Sequence, residues 1–388
     1  MSVESFISSR IRFGSRLATF ATAFSFLVIV IAIAVCSGFR HEIISIAADQ
    51  YGDILLAPPE NYSDTALHTP VPAGISYLDS IRAIDGIKEV KGVVRLTGIV
   101  RAGDVFEGVE FKGLEQSGLQ PMKAEIPSDL ASRLRLGDGD RMLAYFLAGK
   151  LKARRFEAVS SGTPSLGTGR EFVVRANADD LRRVLGWADG QVSEFEIILD
   201  EKYRNEYDMQ AVAFAAGATA MDSALPDEPV LIPQTLSYRF PEVFGWMDLI
   251  DNNVSLILIL MIMVAGFNMV SGLLILLFHS TGTIGLLKAL GMKGRDIGRV
   301  FLRVGTRVTG TGLLAGNAAA IALIAVQMRF HVIPLNAANY FVSFVPVHLD
   351  WGMIATLDLA AFVAVNLILL LPCLFISHID PASTLRTE

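Results

Sequence analysis

Four long apolar stretches constrain the fold of this 388-residue chain more than any other feature of its sequence. The stretch from Val254 to Phe278 contains no charged residue. At about 1.5 Å of rise per residue, a helix of this length crosses a hydrocarbon core of roughly 30 Å with some tilt. The sequence therefore predicts an integral membrane α-helical protein with four transmembrane helices.

Basic residues indicate which ends of these helices face the cytoplasm. Arg10, Arg12 and Arg16 precede the first stretch, and residues 279–307 carry six basic side chains against one acid, Asp296. Because positively charged loops remain on the cytoplasmic side, we expect both termini in the cytoplasm. The long segment between the first two helices then lies outside the cytoplasm, which in a bacterium with two membranes means the periplasm, and we expect the protein in the inner membrane of such a bacterium.

That segment has the composition of a soluble domain. Between Arg40 and Asp251 there are 33 acidic and 22 basic residues, a net charge of −11, which disfavours nucleic acid as a partner. Helical and β-rich patterns are interspersed, so we expect a large α+β periplasmic domain inserted between the first two transmembrane helices. The helical patterns cover 76–84, 128–134, 178–185 and 202–216, and the β-rich runs cover 92–100, 105–112, 155–159, 171–174 and 195–199.

The predicted domain boundaries follow from these patterns. The first apolar stretch is longer than a signal-peptide core of about 7–15 residues, so we expect an uncleaved helix. The predicted segments are a cytoplasmic amphipathic elbow at 1–16, transmembrane helices at 17–38, 251–278, 304–327 and 352–376, the periplasmic domain at 39–250, a cytoplasmic coupling segment at 279–303, a periplasmic loop at 328–351 and a cytoplasmic tail at 377–388.

The residue patterns give no indication of a catalytic centre. The six histidines lack metal-ligand spacing, Cys36 and Cys373 lie in apolar stretches, and no nucleophile–base pair stands out. Residues 161–169 form a loop rich in Gly, Ser and Thr, without the Gly-x-x-x-x-Gly-Lys-Ser/Thr order of a phosphate-binding loop. We therefore predict a non-catalytic chain without a metal site or a cofactor of its own.

Several motifs resemble the FtsX/MacB/LolC-type permease superfamily, the type VII ABC transporters. They are Phe267-Asn-Met-Val-Ser-Gly-Leu-Leu-Ile-Leu-Leu, Ile284-Gly-Leu-Leu-Lys-Ala-Leu-Gly-Met292 with Ile297 and Phe301, Tyr340-Phe-Val-Ser-Phe-Val-Pro-Val-His-Leu and Ile379-Asp-Pro-Ala-Ser-Thr-Leu-Arg. By this resemblance, residues 254–388 form an FtsX-like permease domain together with the first helix. The chain departs from the family at His279-Ser-Thr-Gly-Thr, where a charged Glu/Arg run is common.

Motifs in the periplasmic segment resemble the lipoprotein-releasing LolC/LolE branch. They are Gly137-Asp-Gly-Asp-Arg-Met-Leu-Ala-Tyr-Phe146, Arg155-Phe and Val192-Ser-Glu-Phe-Glu196. This branch implies a permease subunit of an ATP-driven transporter that acts by mechanotransmission and releases lipoproteins to a periplasmic carrier. A separate cytoplasmic ABC ATPase would bind the ATP, and a second permease subunit, identical or paralogous, would complete a dimer. A MacB-like efflux permease and an FtsX-like regulator of a cell-wall hydrolase remain alternatives.

The resemblance also implies a coupling helix that docks on the ATPase. Leu286, Leu287 and Leu290 would anchor it, and Gly291 would end it. The alternative is an ordinary amphipathic helix at the membrane surface. The residues of this predicted coupling helix are Ile284, Gly285, Leu286, Leu287, Lys288, Ala289, Leu290 and Gly291.

Four arginines follow the coupling helix at a spacing of four residues. On a helix, Arg295, Arg299, Arg303 and Arg307 form a single stripe. Facing anionic lipid headgroups, each can contribute about 1 kcal/mol, so we expect the stripe to anchor the coupling segment at the cytoplasmic surface. A general excess of positive charge on the cytoplasmic side is the alternative explanation.

In the lipoprotein-releasing branch, acyl chains bind between the first two transmembrane helices. Methionine-rich apolar surfaces suit variable acyl chains because they repack readily. The alternative interpretation is that these side chains simply face lipid. The candidate contacts are Phe20, Phe24, Leu27, Ile31, Met261, Met263 and Phe267. Four polar residues also lie at membrane depth, and we expect them to face neighbouring helices because polar groups are costly in lipid. They are Asn268, Asn317, Asp358 and Asn366.

Overall fold

The computed structural model describes residues 16–62, 68–115, 118–162, 165, 172–336, 340 and 342–375. The predicted elbow, apart from Arg16, and the predicted tail with its Ile379 motif lie outside these ranges, as does most of the loop at 161–169. The chain divides into two compact units. The first comprises Met1–Arg40, Met247–Ile333 and Val345–Glu388, and the second comprises His41–Trp246 with Pro334–Phe344.

Helices and strands alternate only in the middle of the chain. In chain order, the elements are α1 (Arg16–Tyr51), β1 (Ile54–Ala57), β2 (Val71–Pro72), α2 (Leu78–Arg82), β3 (Ile87–Ala102), β4 (Val105–Leu114), β5 (Lys123–Ile126), α3 (Ser128–Leu134), β6 (Arg141–Ala148), β7 (Lys150–Ser160), β8 (Phe172–Asn177), α4 (Ala178–Leu185), β9 (Gln191–Val192), β10 (Glu194–Leu199), α5 (Glu206–Ser223), β11 (Ile232–Thr235), α6 (Leu236–Arg239), α7 (Pro241–His279), α8 (Thr281–Ala289), α9 (Gly294–Phe330), α10 (Trp351–Ile368) and α11 (Leu370–Phe375).

Four helical segments among the described residues are long and apolar enough to cross a membrane: α1, α7, α9 and α10 with α11. A domain of mixed α and β structure lies between the first two in sequence, so the predicted fold class is confirmed. The helices extend beyond the predicted spans. α1 continues to Tyr51, where Gly52 adopts a left-handed φ of +74°, and α7 already begins at Pro241. Hydropathy indicates which part of a helix contacts lipid. The helix itself begins and ends where the backbone preferences of residues such as proline and glycine favour it.

Small residues let α9 pack closely against α1. A Cβ atom at Gly316 would collide with the carbonyl oxygen of Ala23 and would lie 2.9 Å from Cβ of Phe26. Gly312 makes a similar approach to Thr22. In lipid, helices associate by such close packing because burial of apolar surface gives little further gain.

The second unit contains a nine-stranded sheet in the order β11-β1-β10-β3-β4-β8-β5-β7-β6. β3 also pairs with β6, from Gly98 opposite Phe146 to Arg101 opposite Leu143, so six of the strands close into a small barrel. Its core contains Phe111, Phe146 and Phe156, with α3 and α4 packed against it. A second core lies where α2 and α5 cover β1 and β10.

Local capping explains where one helix differs from its predicted range. The pattern at 202–216 predicts one helix, but the structure has a 3₁₀ turn at Glu201–Tyr203 and begins α5 at Glu206. The Asn205 side chain accepts a hydrogen bond from the Asp208 amide at 2.9 Å and so caps α5. The helices predicted at 128–134 and 178–185 agree with α3 and α4.

Replacing Gly316 with alanine tests the close contact between α9 and α1. The added methyl group has no room, so we expect G316A to lose about 1–3 kcal/mol of stability. Gly310→Ala on the same helix is the control, because the nearest atom to its new Cβ is 3.9 Å away. The thermal unfolding midpoints in detergent should be lowered in G316A alone, and equal midpoints would show that this packing is wrong.

Candidate functional site

The predicted coupling helix is the short helix α8. Ile284 is 1 % exposed and belongs to one buried apolar cluster with Met269 and Leu273 of α7 and Phe301 of α9. Gly285 is also buried. This inner face ties α8 to the two long helices that flank it.

The opposite face of α8 is open. Leu286 and Leu290 are 59 % and 76 % exposed, and they lie on one face because they are four residues apart. Leu287, the third predicted anchor, is half-buried and packs on the inner cluster instead. Gly291 has a φ of +89°, which suits the glycine that follows a helix end. We define the exposed face by Leu286 and Leu290 and call it the coupling face.

The arginine stripe lies on the first part of α9. Arg295, Arg299, Arg303 and Arg307 are all exposed, whereas Phe301 on the opposite side is buried. Arg299 is 3.1 Å from Asp296, one turn away. The structure thus brings the four predicted arginines together along one exposed face of one helix.

An apolar groove of about 420 Å³ lies between α7 and the end of the last helical segment. All of its lining side chains are apolar: Met263, Phe267, Val270, Leu274, Ile368, Leu371 and Pro372. Pro372 lacks the amide hydrogen that would bond to the Ile368 carbonyl, which accounts for the break between α10 and α11. We call this cavity the apolar groove.

The candidate acyl contacts are divided among three places. Met263 and Phe267 line the apolar groove, which places it between the second and fourth apolar helices. Phe20 and Phe24 are 71 % and 54 % exposed on α1. The remaining three are partly buried against the core shared by α1, α9 and α10, namely Leu27, Ile31 and Met261.

The sequence analysis missed a buried charge cluster in the second unit. Arg95 on β3 has no exposed side-chain surface and donates hydrogen bonds to Glu194, to Glu196 at 2.7 Å and to Glu110 at 3.0 Å. Lys112 donates to Glu196 at 2.6 Å. The charge cluster is defined by Arg95, Lys112, Glu110, Glu194 and Glu196.

This cluster holds the end of α1. The Gln50 carbonyl oxygen accepts hydrogen bonds from Arg95 at 3.2 Å and from Lys112 at 2.9 Å. Arg175 pairs with the Asp49 carboxylate. The last carbonyl groups of a helix lack hydrogen-bond partners within the helix and carry negative partial charge. Buried cations supply both the missing hydrogen-bond donors and a compensating positive charge.

The start of α7 meets the same cluster. Arg239, two residues before α7, lies 3.8 Å from Glu110 and stacks over the Tyr51 ring. The Tyr51 and Phe240 rings have their centroids 4.8 Å apart. One buried set of charges therefore joins the end of the first long helix to the start of the second.

Arg95 and Glu194 stabilise each other's charged forms. Burial opposes the charge on Arg95, but Glu110, Glu194 and Glu196 outweigh it and hold the pKa of Arg95 well above its ordinary value. Burial likewise disfavours ionised Glu194, yet Arg95 outweighs this effect and lowers the pKa of Glu194. Lys112 differs, because burial lowers its pKa in spite of Glu196.

Within the first unit, a smaller polar contact joins the same two helices. Arg40 on α1 pairs with Asp251 on α7 at 2.5 Å. The Cys36 thiol donates to the other oxygen of that carboxylate at 2.7 Å. α1 and α7 are thus fixed to each other separately in each unit.

Comparison with known proteins identifies the C-terminal part of the chain. Residues 255–381 match the family model of the FtsX-like permease C-terminal domain, which confirms the superfamily predicted from the sequence. This family implies a cytoplasmic ABC ATPase as a partner. No curated protein matches the chain.

Two solved structures resemble part of the chain at low scores. The periplasmic region of MacB from Actinobacillus actinomycetemcomitans is 7 % identical, covers 54 % of this chain and 95 % of its own, and has a TM-score of 0.30. The extracellular domain of the ABC-type transporter YknZ from Gram-positive bacteria is 10 % identical. The match covers 47 % of this chain and 98 % of the YknZ domain, with a TM-score of 0.27.

Removing the central arginine tests the charge cluster. Arg95→Met leaves buried carboxylates without their partner, which we expect to cost about 3–5 kcal/mol of stability. Arg101→Met, an exposed position on the same strand, is the control. Thermal unfolding of the full chain measures the difference, and equal midpoints for the two variants would contradict this role of Arg95.

The same variant should invert the pH dependence. In the parent, ionised Glu194 contributes stability that is fully present above its unfolded-state pKa of 4.5 and is lost as the pH falls through its lower folded-state pKa. Arg95 is the largest effect that opposes burial, so without it we expect burial to raise the pKa of Glu194. The free energy of unfolding of R95M should therefore rise as the pH is lowered from about 8 to about 5, unlike that of the parent.

Proposed function

We propose that this permease of the FtsX/MacB superfamily releases lipoproteins from the outer leaflet of the inner membrane to a periplasmic carrier, driven by a separate ABC ATPase. The observation that carries this proposal is the apolar groove, which has no polar group in its lining. Sites for polar small molecules combine an apolar lining with a few placed polar groups that orient the ligand. A groove without them suits an alkyl chain.

The composition of the groove supports variable acyl chains. Met263 and Phe267 supply flexible and bulky apolar surface on α7. On the other side of the groove, the helix is interrupted between α10 and α11, close to Pro372. Methionine side chains adapt to ligands of different shape. In this proposal the groove receives lipoprotein acyl chains laterally from the membrane.

The coupling face supplies the contact with the ATPase. Leu286 and Leu290 would insert into a groove on the ATPase surface, in the way that an amphipathic helix docks through residues four apart. Ile284 on the inner face then passes the movement to α7 and α9. The arginine stripe would hold this segment at the cytoplasmic headgroups, since each Arg near an anionic surface contributes about 1 kcal/mol.

The charge cluster is the other end of this proposed path. α1 and α7 are continuous helices, and the cluster fixes the end of α1 and the start of α7 to the sheet. A movement of the two helices would thus reach the periplasmic domain without passage of substrate through the bilayer. Two ATPase subunits require two permease halves, so we propose a dimer, with both chain termini in the cytoplasm.

Aspartate at either exposed leucine tests the coupling face. A charge buried in an apolar contact is costly, so L286D and L290D should each lower co-purification of the ABC ATPase at least about tenfold. Phe214→Asp is the control, because Phe214 is 80 % exposed but lies on α5. Quantitative mass spectrometry of the detergent-purified complex measures the ATPase, and unchanged binding by L286D and L290D would refute the coupling role.

A photo-crosslinking residue at Phe267 tests the apolar groove. In cells making triacylated lipoproteins, we expect benzoylphenylalanine at this position to label their acylated termini, because the side chain lines the groove. The control is Phe278, which is 72 % exposed on the same helix but does not line the groove. Equal labelling at both positions, or labelling by phospholipid alone, would contradict acyl binding here.

A further inference from the structure

One acidic residue stands alone in the apolar part of the chain. Asp358 is the only Asp, Glu, Lys, Arg or His within 17–39, 252–278, 308–328 and 351–376. It lies about 10 Å along α10 from Trp351, and its side chain is buried, with 7 % of the residue exposed. A carboxylate at such a position is costly unless it is paired or neutralised.

Its partner is an amide on the neighbouring helix. Asn317 on α9 donates a hydrogen bond from Nδ2 to Oδ2 of Asp358 at 2.5 Å. The two remaining oxygens of this pair, Oδ1 of Asn317 and Oδ1 of Asp358, are both buried and have no hydrogen-bond partner among the described residues. An ionised Asp358 would leave two acceptors here and no donor.

Within the described part of the chain, no cation pairs with Asp358 to balance a charge. On α10, Ile354 and Ala361 flank Asp358 and belong to a core with Phe26 of α1 and Ala320 of α9. Charged residues occur only well away along each element packed nearby. The nearest charged or histidine residues in sequence are Arg16 and Arg40 on α1, Asp251 and His279 on α7, Arg307 and Arg329 on α9, and His348 and Asp350 before α10. No described ion pair involves Asp358.

We propose that Asp358 is a proton-binding site, held as the neutral acid by Asn317. The proton resides on Oδ1 of Asp358 and is donated to Oδ1 of Asn317, while Nδ2 of Asn317 donates to Oδ2 of Asp358. The two hydrogen bonds then form a closed ring between an acid and an amide. One proton supplies the single donor that two unpartnered oxygens lack.

This ring would join α9 to α10 inside the membrane. A second polar contact follows the same interface, where the Thr306 hydroxyl donates to Oδ1 of Asn366 at 2.6 Å. Separating the helices would break both hydrogen bonds of the ring in lipid, where no water replaces them. The site thus makes the third and fourth spans move as one body, and that union depends on a bound proton.

Infrared difference spectroscopy on the full chain tests the protonation directly. At neutral pH, the parent minus Asp358→Asn spectrum should show the carbonyl stretch of a protonated carboxylic acid, which is separate from the carboxylate bands. The matched control is Asp350→Asn, which retains a side chain able to cap α10 at Met353 and replaces an exposed carboxylate eight residues away. Its difference spectrum should show only the loss of carboxylate bands.

Stability provides the second measurement. Asparagine at 358 is a neutral mimic that forms the same ring with Asn317, so D358N should keep the parent's unfolding midpoint. D358A loses both hydrogen bonds and should unfold at least about 2 °C lower. Absence of the acid band, or a D358N variant that is as unstable as D358A or fails to fold, would mean that an ionised carboxylate is required and would overturn the proposal.

Discussion

A buried arginine is the interaction on which the second unit most depends. Arg95 meets three carboxylates without solvent, and with Lys112 it satisfies the last carbonyl groups of the first long helix. Charges in such a place are tolerated only when each has its partner, so the cluster fixes the positions of β3, β4, β10 and the end of α1 together. The start of α7 joins through Arg239. In the function that we propose, this junction would carry movement of the two helices to the sheet.

In the membrane part, close packing of helices replaces buried charges as the main source of stability. Its helices contact one another through glycine and apolar side chains, and few polar contacts are permitted because lipid supplies no hydrogen-bond partners. Two of them join neighbouring helices, Asn317 with Asp358 and Thr306 with Asn366. The apolar groove and the coupling face are two places where apolar side chains remain uncovered, and we associate them with substrate and with the ATPase.

Hydropathy and charge in the sequence were sufficient to predict four spans and an inserted domain, because these patterns extend over many residues, whereas the superfamily was indicated by the resemblance of several motifs. Hydropathy and charge did not predict where α1 ends or where α7 begins, since these positions are set by Gly52 and Pro241 rather than by lipid contact. The charge cluster was missed although Glu194 and Glu196, and likewise Glu110 and Lys112, alternate on their strands. That spacing places each pair on one face, but its burial depends on α1, which is distant in sequence. The predicted anchor Leu287 packs inward because residues of α7 and α9, which lie outside its own helix in the sequence, form the cluster that it contacts.

Purification of the chain from its native membrane in mild detergent, with mass spectrometry of all bound molecules, tests the proposed function most directly. The account predicts an ABC ATPase, a second permease subunit and triacylated lipoproteins. An ATPase found with a periplasmic adaptor and an outer-membrane channel would instead indicate efflux, and one found with a cell-wall hydrolase would indicate a regulator. Purification without any ATPase, under conditions that preserve membrane complexes, would contradict the account.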